Sequence, residues 1–174
     1  MKHESEISVF RWETLREIGP DLLPFAKPVH GFELEVELIS GSRVHVFRAE
    51  DGRFYFCHGL TFGGKDAPGG AVSPYSGKAV TTILAELYDL VAPESAATAG
   101  DVVVWHDLSR RPVHTAVLLK PIVMQGDNRL DYASLLRSKN GNQLESDTTL
   151  EQLAASDDGY GESYAVYRRR LPKE

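Results

Sequence analysis

The chain has a single cysteine, Cys57, within the segment FYFCHGLTFGG at residues 54–64. A thiol acts as a nucleophile when a nearby imidazole takes its proton, as a metal ligand when other ligands surround it, or as a small buried apolar side chain. With no second cysteine, the chain has no internal disulfide and no sulfur-rich zinc site. The role of Cys57 therefore depends on which residues the fold brings next to it.

Six histidines supply the candidate bases: His3, His30, His45, His58, His106 and His114. For the first three, an exposed or half-buried structural imidazole is the expected role. His58 directly follows Cys57, and since neighbouring side chains normally diverge, it is a poor base for that thiol. His106 and His114 remain. The residue types would also suit a metal, but no close ligand pair such as H-E-x-x-H is present, so neither a metal nor another cofactor is expected.

Composition indicates one soluble globular domain spanning residues 1–174, because 42% of the residues are apolar and 25% are charged. The net charge of −6 and the interspersed lysines and arginines argue against a nucleic-acid partner. The first residues contain no apolar stretch typical of a signal peptide, and no membrane span is expected. We expect a cytoplasmic protein, or one exported by a specialised secretion system without a signal peptide.

The first third of the chain predicts a short helix at residues 11–19, a proline-rich connection at 19–28 and then three antiparallel strands. In FELEVELI, residues 32–39, apolar and acidic residues alternate as in a sheet with one solvent-facing side. Turns at residues 40–42 and 51–52 would join this strand to RVHVFRAE and then to RFYFC. Cys57 would end the third strand.

The rest of the chain predicts a glycine-rich loop at residues 61–77, a helix at 78–91 with apolar residues on one face, and strands from residues 102, 113, 130 and 163. A short helix within residues 146–156 would begin at Ser146 or Asp147 as its N-cap. The predicted fold class is α+β, a mostly antiparallel sheet packed against a helix.

Three segments carry a family resemblance. CHGL at residues 57–60, GDVVVW at 100–105 and HTAVLL at 114–119 resemble, in this order, the CSGL-like, GDLVFF-like and HVGIYL-like segments of the NlpC-type family of papain-like cysteine hydrolases. The resemblance implies a papain-like core at residues 53–170. Residues 1–52 would then be an N-terminal elaboration consisting of a helix and a β-hairpin.

The resemblance implies a catalytic set. Cys57 would be the nucleophile and His114 the general base, and a third polar residue on the following strand would orient the imidazole. The segment SKNG is similar to SKWG-like segments of divergent relatives, which makes Asn140 the first choice for that residue; Ser138 and Asp131 are the alternatives.

The chain also departs from the family pattern. His58 replaces the usual serine after the nucleophile, and Gly63 and Gly64 would interrupt the long helix that normally begins at the cysteine. Cys57 is therefore expected on one short helical turn, with the packing helix starting near Gly77.

The implied activity is hydrolysis of an amide bond, in a peptide or a peptidoglycan-like substrate, through a Cys57 acyl-enzyme. The backbone amides of Cys57 and His58 would stabilise the oxyanion. A chain with this activity would be an exported effector toxin or would act on a cytoplasmic amide. The alternative is a catalytically silent interaction module whose acidic strand at residues 32–39 docks a protein partner.

Overall fold

The structure, a computed structural model, describes residues 10–22, 30–67, 69–124, 126–140, 143–155 and 159–171. Within these ranges the strands are β1 (Phe10–Leu22), β2 (His30–Leu38), β3 (Arg43–Ala49), β4 (Val72–Ser73), β5 (Tyr88–Leu90), β6 (Val102–His106), β7 (Pro112–Lys120), β8 (Leu135–Ser138), β9 (Ser146–Thr149) and β10 (Tyr164–Arg169). The α-helices are α1 (Cys57–Thr61), α2 (Gly77–Leu87) and α3 (Leu150–Ala154). The α+β class predicted from the sequence is confirmed. In this part of the chain, no helix combines the length and hydropathy required to cross a lipid bilayer.

One sheet has the antiparallel order β1-β2-β3-β4. The alternation predicted for β2 is present, since Leu34, Val36 and Leu38 are buried while the glutamates between them are half-buried on the other face. The turn between β2 and β3 is closed by a hydrogen bond from the Gly41 amide to the Leu38 carbonyl, and Gly41 has a φ of 93°, a conformation that favours glycine.

Two predictions for the first third of the chain are wrong, and a third is wrong in part. Residues 11–19 form part of β1 and not a helix, because pairing with β2 satisfies the backbone groups and outweighs a weak local helix preference. Three register shifts interrupt this pairing. Residues 53–56 form no strand after the turn at Gly52. The predicted connection at residues 19–28 is part of β1 up to Leu22, and residues 23–29 lie outside the described residues.

The other sheet has the order β5-β10-β6-β7-β8-β9, and all its neighbouring pairs are antiparallel. Its strand β6 is buried on both faces, which explains the uninterrupted apolar run predicted there. Val102 and Val104 pack with α2 and the inner face of β2 and β3. Val103 and Trp105 pack with β7, β8 and α3 on the opposite face. The helix α2 therefore shares a core with both sheets.

The second half of the chain departs from the prediction at element boundaries. The helix predicted to reach Val91 ends at Leu87, and β5 follows and pairs with β10. The strand predicted for residues 130–141 is confined to β8. Ser146 and Asp147 are not helix caps, because they belong to β9; Thr149 caps α3 in a reciprocal arrangement with Gln152.

Candidate functional site

Cys57 is the first residue of α1, at the end of an extended segment and before the glycine-rich loop. It is 8% exposed. Its position on a single short helical turn agrees with the sequence-based expectation. Because α1 packs against β7, the thiol lies beside the strand that carries His114 and Thr115.

Close packing between α1 and β4 fixes this position. A Cβ atom at Gly59 would lie 2.5 Å from the Ser73 hydroxyl oxygen and 2.8 Å from the Val72 carbonyl oxygen, so only glycine fits there without a shift. The Ser73 hydroxyl also accepts a hydrogen bond of 2.9 Å from the amide of Phe56, the residue before the thiol. The strand β4 thus holds the backbone on both sides of Cys57.

His114 lies on β7 and is 1% exposed. Its Nε2 atom is 2.8 Å from the hydroxyl oxygen of Ser138 on the neighbouring strand β8. One face of the imidazole is covered by Tyr160, whose ring is stacked at a centroid distance of 3.8 Å and an angle of 4°. Trp105 lies 5.5 Å away, centroid to centroid. A hydrogen bond and two aromatic rings therefore restrict the orientation of this imidazole.

The three candidates for the third residue lie in different places. Ser138 contacts the His114 imidazole directly. The side-chain oxygen of Asn140 accepts a 3.0 Å hydrogen bond from the Tyr160 hydroxyl, so Asn140 is connected to His114 only through the stacked ring. Asp131 accepts a 2.7 Å hydrogen bond from the Ala133 amide in its own turn. The structure joins His114 to Ser138 and not to Asn140, the first choice from the sequence.

His58 contacts the thiol, contrary to the expectation that adjacent side chains diverge. Its Nδ1 atom lies 3.7 Å from the Cys57 sulfur and 2.8 Å from the Thr115 hydroxyl oxygen. His106, the other histidine considered, is half-buried at the end of β6 opposite Pro112.

A chain of hydroxyl groups fixes the proton on His58. The Thr61 hydroxyl donates to the Cys57 carbonyl oxygen at 2.9 Å, and a carbonyl only accepts. Thr61 must then accept from the Thr115 hydroxyl, at 2.9 Å, which in turn leaves Thr115 to accept from His58. The neutral His58 ring therefore carries its proton on Nδ1. Because this proton is donated to Thr115, Nδ1 has no lone pair for the Cys57 sulfur 3.7 Å away, and His58 does not face the thiol as a base.

Burial keeps the ionisable groups of the site neutral. It raises the pKa of the Cys57 thiol to about 11, against an opposing effect of hydrogen bonds from Thr115 and from the amides of His58 and Cys57 itself. Burial also lowers the pKa of His58 to about 4, and it lowers that of His114 to about 3 with a further contribution from the charge of His58. At neutral pH the site therefore holds a thiol and two uncharged imidazoles.

Two features near His114 and Cys57 were missed by sequence reasoning. Tyr160 lies in the loop segment GYGES at residues 159–163, where neither spacing nor periodicity distinguishes it from any other loop residue. Lys139 adjoins Ser138 and is only 6% exposed, although lysine is a residue type that is rarely buried. Among the described residues, no group of three or more histidine, cysteine or acidic side chains is arranged to hold a metal ion.

Comparisons of this chain with protein-family models, with curated proteins and with solved structures found no match.

Proposed function

We propose that this chain is a papain-like cysteine hydrolase that cleaves an amide bond, with Cys57 as nucleophile and His114 as general base. The observation that carries the proposal is the 2.8 Å contact between His114 Nε2 and the Ser138 hydroxyl, on a strand packed against the helix that begins with the thiol. When Nε2 donates to Ser138, the other ring nitrogen, Nδ1, carries the lone pair that a base needs.

The neutral state of the site determines how the reaction would begin. The sulfur attacks the carbonyl carbon of the substrate while its proton passes to Nδ1 of His114, so no free thiolate accumulates beforehand. The substrate oxygen becomes an oxyanion that accepts hydrogen bonds from the amides of Cys57 and His58. The His114 imidazolium then protonates the departing amine as the carbon–nitrogen bond breaks.

Release of the acyl group reverses the roles of the same residues. His114 removes a proton from water, whose oxygen attacks the thioester carbon, and the proton returns to the sulfur as the carbon–sulfur bond breaks. The products are a carboxylic acid, an amine and the free thiol. The His58 side chain takes no proton in either step, because its Nδ1–H is donated to the Thr115 hydroxyl.

The substrate class follows from the family resemblance in the sequence. It favours peptide bonds, including those of cell-wall peptides, and an exported protein if the cell wall is the target. A substrate in the cytoplasm is the alternative.

The experiment is acylation of the protein by p-nitrophenyl acetate. We expect a burst of one p-nitrophenolate per protein molecule and an acetyl group on the Cys57 peptide by mass spectrometry. The burst should vanish in Cys57→Ala, and its rate should fall by about 100-fold or more in His114→Gln, which keeps a donor near Ser138 but removes the base. His58→Asn, which retains a donor in place of Nδ1–H, is the matched control and should react within a few-fold of the wild type.

An acetyl group that forms on Cys57 at the same rate in His114→Gln and the wild type would contradict the role of His114. A wild type that is not acylated at Cys57 would favour the second function, a silent interaction module. The observation in favour of that function is the 8% exposure of the thiol together with its raised pKa.

A further inference from the structure

A carboxylate of the chain itself lies between hydrogen-bond donors from the two segments that flank α1. The Tyr55 hydroxyl donates to Oε1 of Glu145, and Nζ of Lys65 donates to the same oxygen at 3.1 Å. Burial opposes ionisation of Glu145, but these hydrogen bonds outweigh it and hold the pKa of the carboxyl below its usual range. Glu145 is therefore bound as a carboxylate anion.

Lys139 places a second ammonium group beside Tyr55, the residue that holds the Glu145 carboxylate. Its Nζ atom lies 4.7 Å from the centroid of the Tyr55 ring and 5.5 Å from that of Phe54, and it donates to the Gln143 carbonyl oxygen at 2.5 Å. The side chain is 6% exposed, and burial lowers the pKa of its ammonium group against opposing interactions with the charges of Glu145 and Cys57. Two ring faces, the Gln143 carbonyl oxygen and the Glu145 carboxylate thus hold this ammonium group at the edge of the reaction centre.

Without Glu145, the positive charges of Lys65 and Lys139 beside Tyr55 would not be neutralised by neighbouring carboxylates. Of the other charged groups, Arg137 already has a partner, since its Nε atom lies 3.1 Å from the Asp147 carboxylate. Asp66 is exposed, and, after burial and Glu145, its negative charge helps to raise the pKa of the Tyr55 hydroxyl. With the Glu145 side chain turned away, Lys65, Lys139 and the Tyr55 hydroxyl would together offer two positive charges and a donor to one anion.

We propose that Tyr55, Lys65 and Lys139 form a carboxylate-binding subsite beside Cys57, which Glu145 fills at rest and which a carboxylate of the substrate fills in its place. As a statement about substrate, this rests on the proposed hydrolase function. The substrate class is an acyl compound or peptide with a carboxylate close to the scissile carbonyl. Glu145 then limits access by ligands that lack such a group.

The position of Glu145 in the fold allows this exchange. Its side chain is 26% exposed, and Leu144 before it is 89% exposed, so neither is held by the core. Glu145 also precedes the first residue of β9. Rotation of the side chain can release the subsite without breaking the pairing of β8 with β9.

The test measures binding without relying on the reactivity of the thiol. Cys57→Ser protein is titrated with N-acetylglutamate and with the uncharged N-acetylglutamine at low ionic strength, with NMR detection of the Tyr55 and Lys139 resonances. The Glu145→Gln substitution in that background should tighten N-acetylglutamate binding by about tenfold or more, because an intramolecular competitor is lost, and should leave N-acetylglutamine unchanged. Lys139→Met should abolish this tightening of N-acetylglutamate binding, and Lys139→Arg should retain most of it. If the Lys139→Met protein does not fold, Lys65→Met removes a positive charge from the subsite independently.

Two results would overturn the subsite. One is equal affinity for the two ligands in both the Cys57→Ser protein and its Glu145→Gln variant. The other is a tightening of both ligands to the same extent, which would make Glu145 a simple steric block. Either result leaves acylation of Cys57 by p-nitrophenyl acetate unaffected, whereas failure of that acylation leaves the binding measurements intact.

Discussion

The imidazole of His114 and the phenol ring of Tyr160 lie parallel, 3.8 Å apart at their centroids. Because Tyr160 also donates to Asn140, the loop that carries this tyrosine is fixed to the end of β8. The stacked ring excludes water from the face of the imidazole. Tyr160 thus contributes to the low pKa of His114, which is lowered to about 3 mainly by burial.

Removal of the stacked ring should therefore raise the pKa of His114. In Tyr160→Ala, water reaches the imidazole and the pKa should rise toward the ordinary value of about 6.5, by about 1 to 2 pH units. NMR titration of histidine ring resonances measures the change. Tyr160→Phe keeps the stacked ring, loses only the hydrogen bond to Asn140, and should titrate like the wild type. A pKa that stays unchanged in Tyr160→Ala would exclude this shielding.

Ser138 should matter more than Asn140 to the reactivity of Cys57. Ser138→Ala removes the hydrogen-bond partner of a buried imidazole nitrogen, and the rate of acylation should fall by about 10- to 100-fold, as for other residues that orient a functional imidazole. Asn140→Ala removes the hydrogen-bond acceptor of the Tyr160 hydroxyl and leaves His114 with its partner. The rate of acylation should therefore fall by about threefold or less. The burst rate with p-nitrophenyl acetate provides the measurement. A larger loss in Asn140→Ala than in Ser138→Ala would restore the assignment made from the sequence.

Acid should destabilise the protein through the buried histidines His58 and His114. In the unfolded chain a histidine binds a proton below about pH 6.5, whereas in the folded chain burial lowers the pKa of His58 to about 4 and that of His114 to about 3. The unfolded state therefore binds more protons below about pH 6.5, and the free energy of unfolding should fall as the pH falls, by up to about 1.4 kcal/mol per pH unit for each histidine.

Urea unfolding at pH 7, 6 and 5 measures this dependence. His58→Asn keeps a donor toward Thr115 but cannot be protonated, so its stability should fall less steeply with acid than that of the wild type. If the free energy of unfolding falls equally steeply with pH in the two proteins, protonation of His58 does not contribute to the destabilisation by acid.

Gly59→Ala should displace α1 from β4. The new Cβ would meet the Ser73 hydroxyl oxygen at 2.5 Å and the Val72 carbonyl oxygen at 2.8 Å. Relief of this overlap should cost about 1 to 3 kcal/mol of unfolding free energy and slow the acylation of Cys57. Gly77→Ala is the matched control, since a Cβ there meets its neighbours at 3.4 Å or more and the change should be within about 1 kcal/mol. Equal stability of the two variants would contradict the tight packing of α1 on β4.

The sequence by itself determined the elements whose periodicity is strong. Alternation in β2, the apolar face of α2 and the apolar run of β6 are each set by a buried surface that the residue pattern encodes directly. The glycines after Cys57 likewise predicted that its helix would be short. The pairing of β1 with β2 could not be predicted, because local preference favoured a helix and only a distant strand supplied the competing hydrogen bonds.

The candidate site depended more on the tertiary structure. The sequence indicated Cys57, His114 and a polar residue on the next strand. Ser138 and Asn140 are two residues apart, and only the side-chain contacts of the folded chain show that the serine hydroxyl lies against the imidazole. Tyr160, Lys139 and Glu145 come from separate loops and strand ends, so no spacing in the chain relates them to Cys57. Their contacts with the site are tertiary contacts between segments that are far apart in the sequence, and local sequence patterns do not encode such contacts.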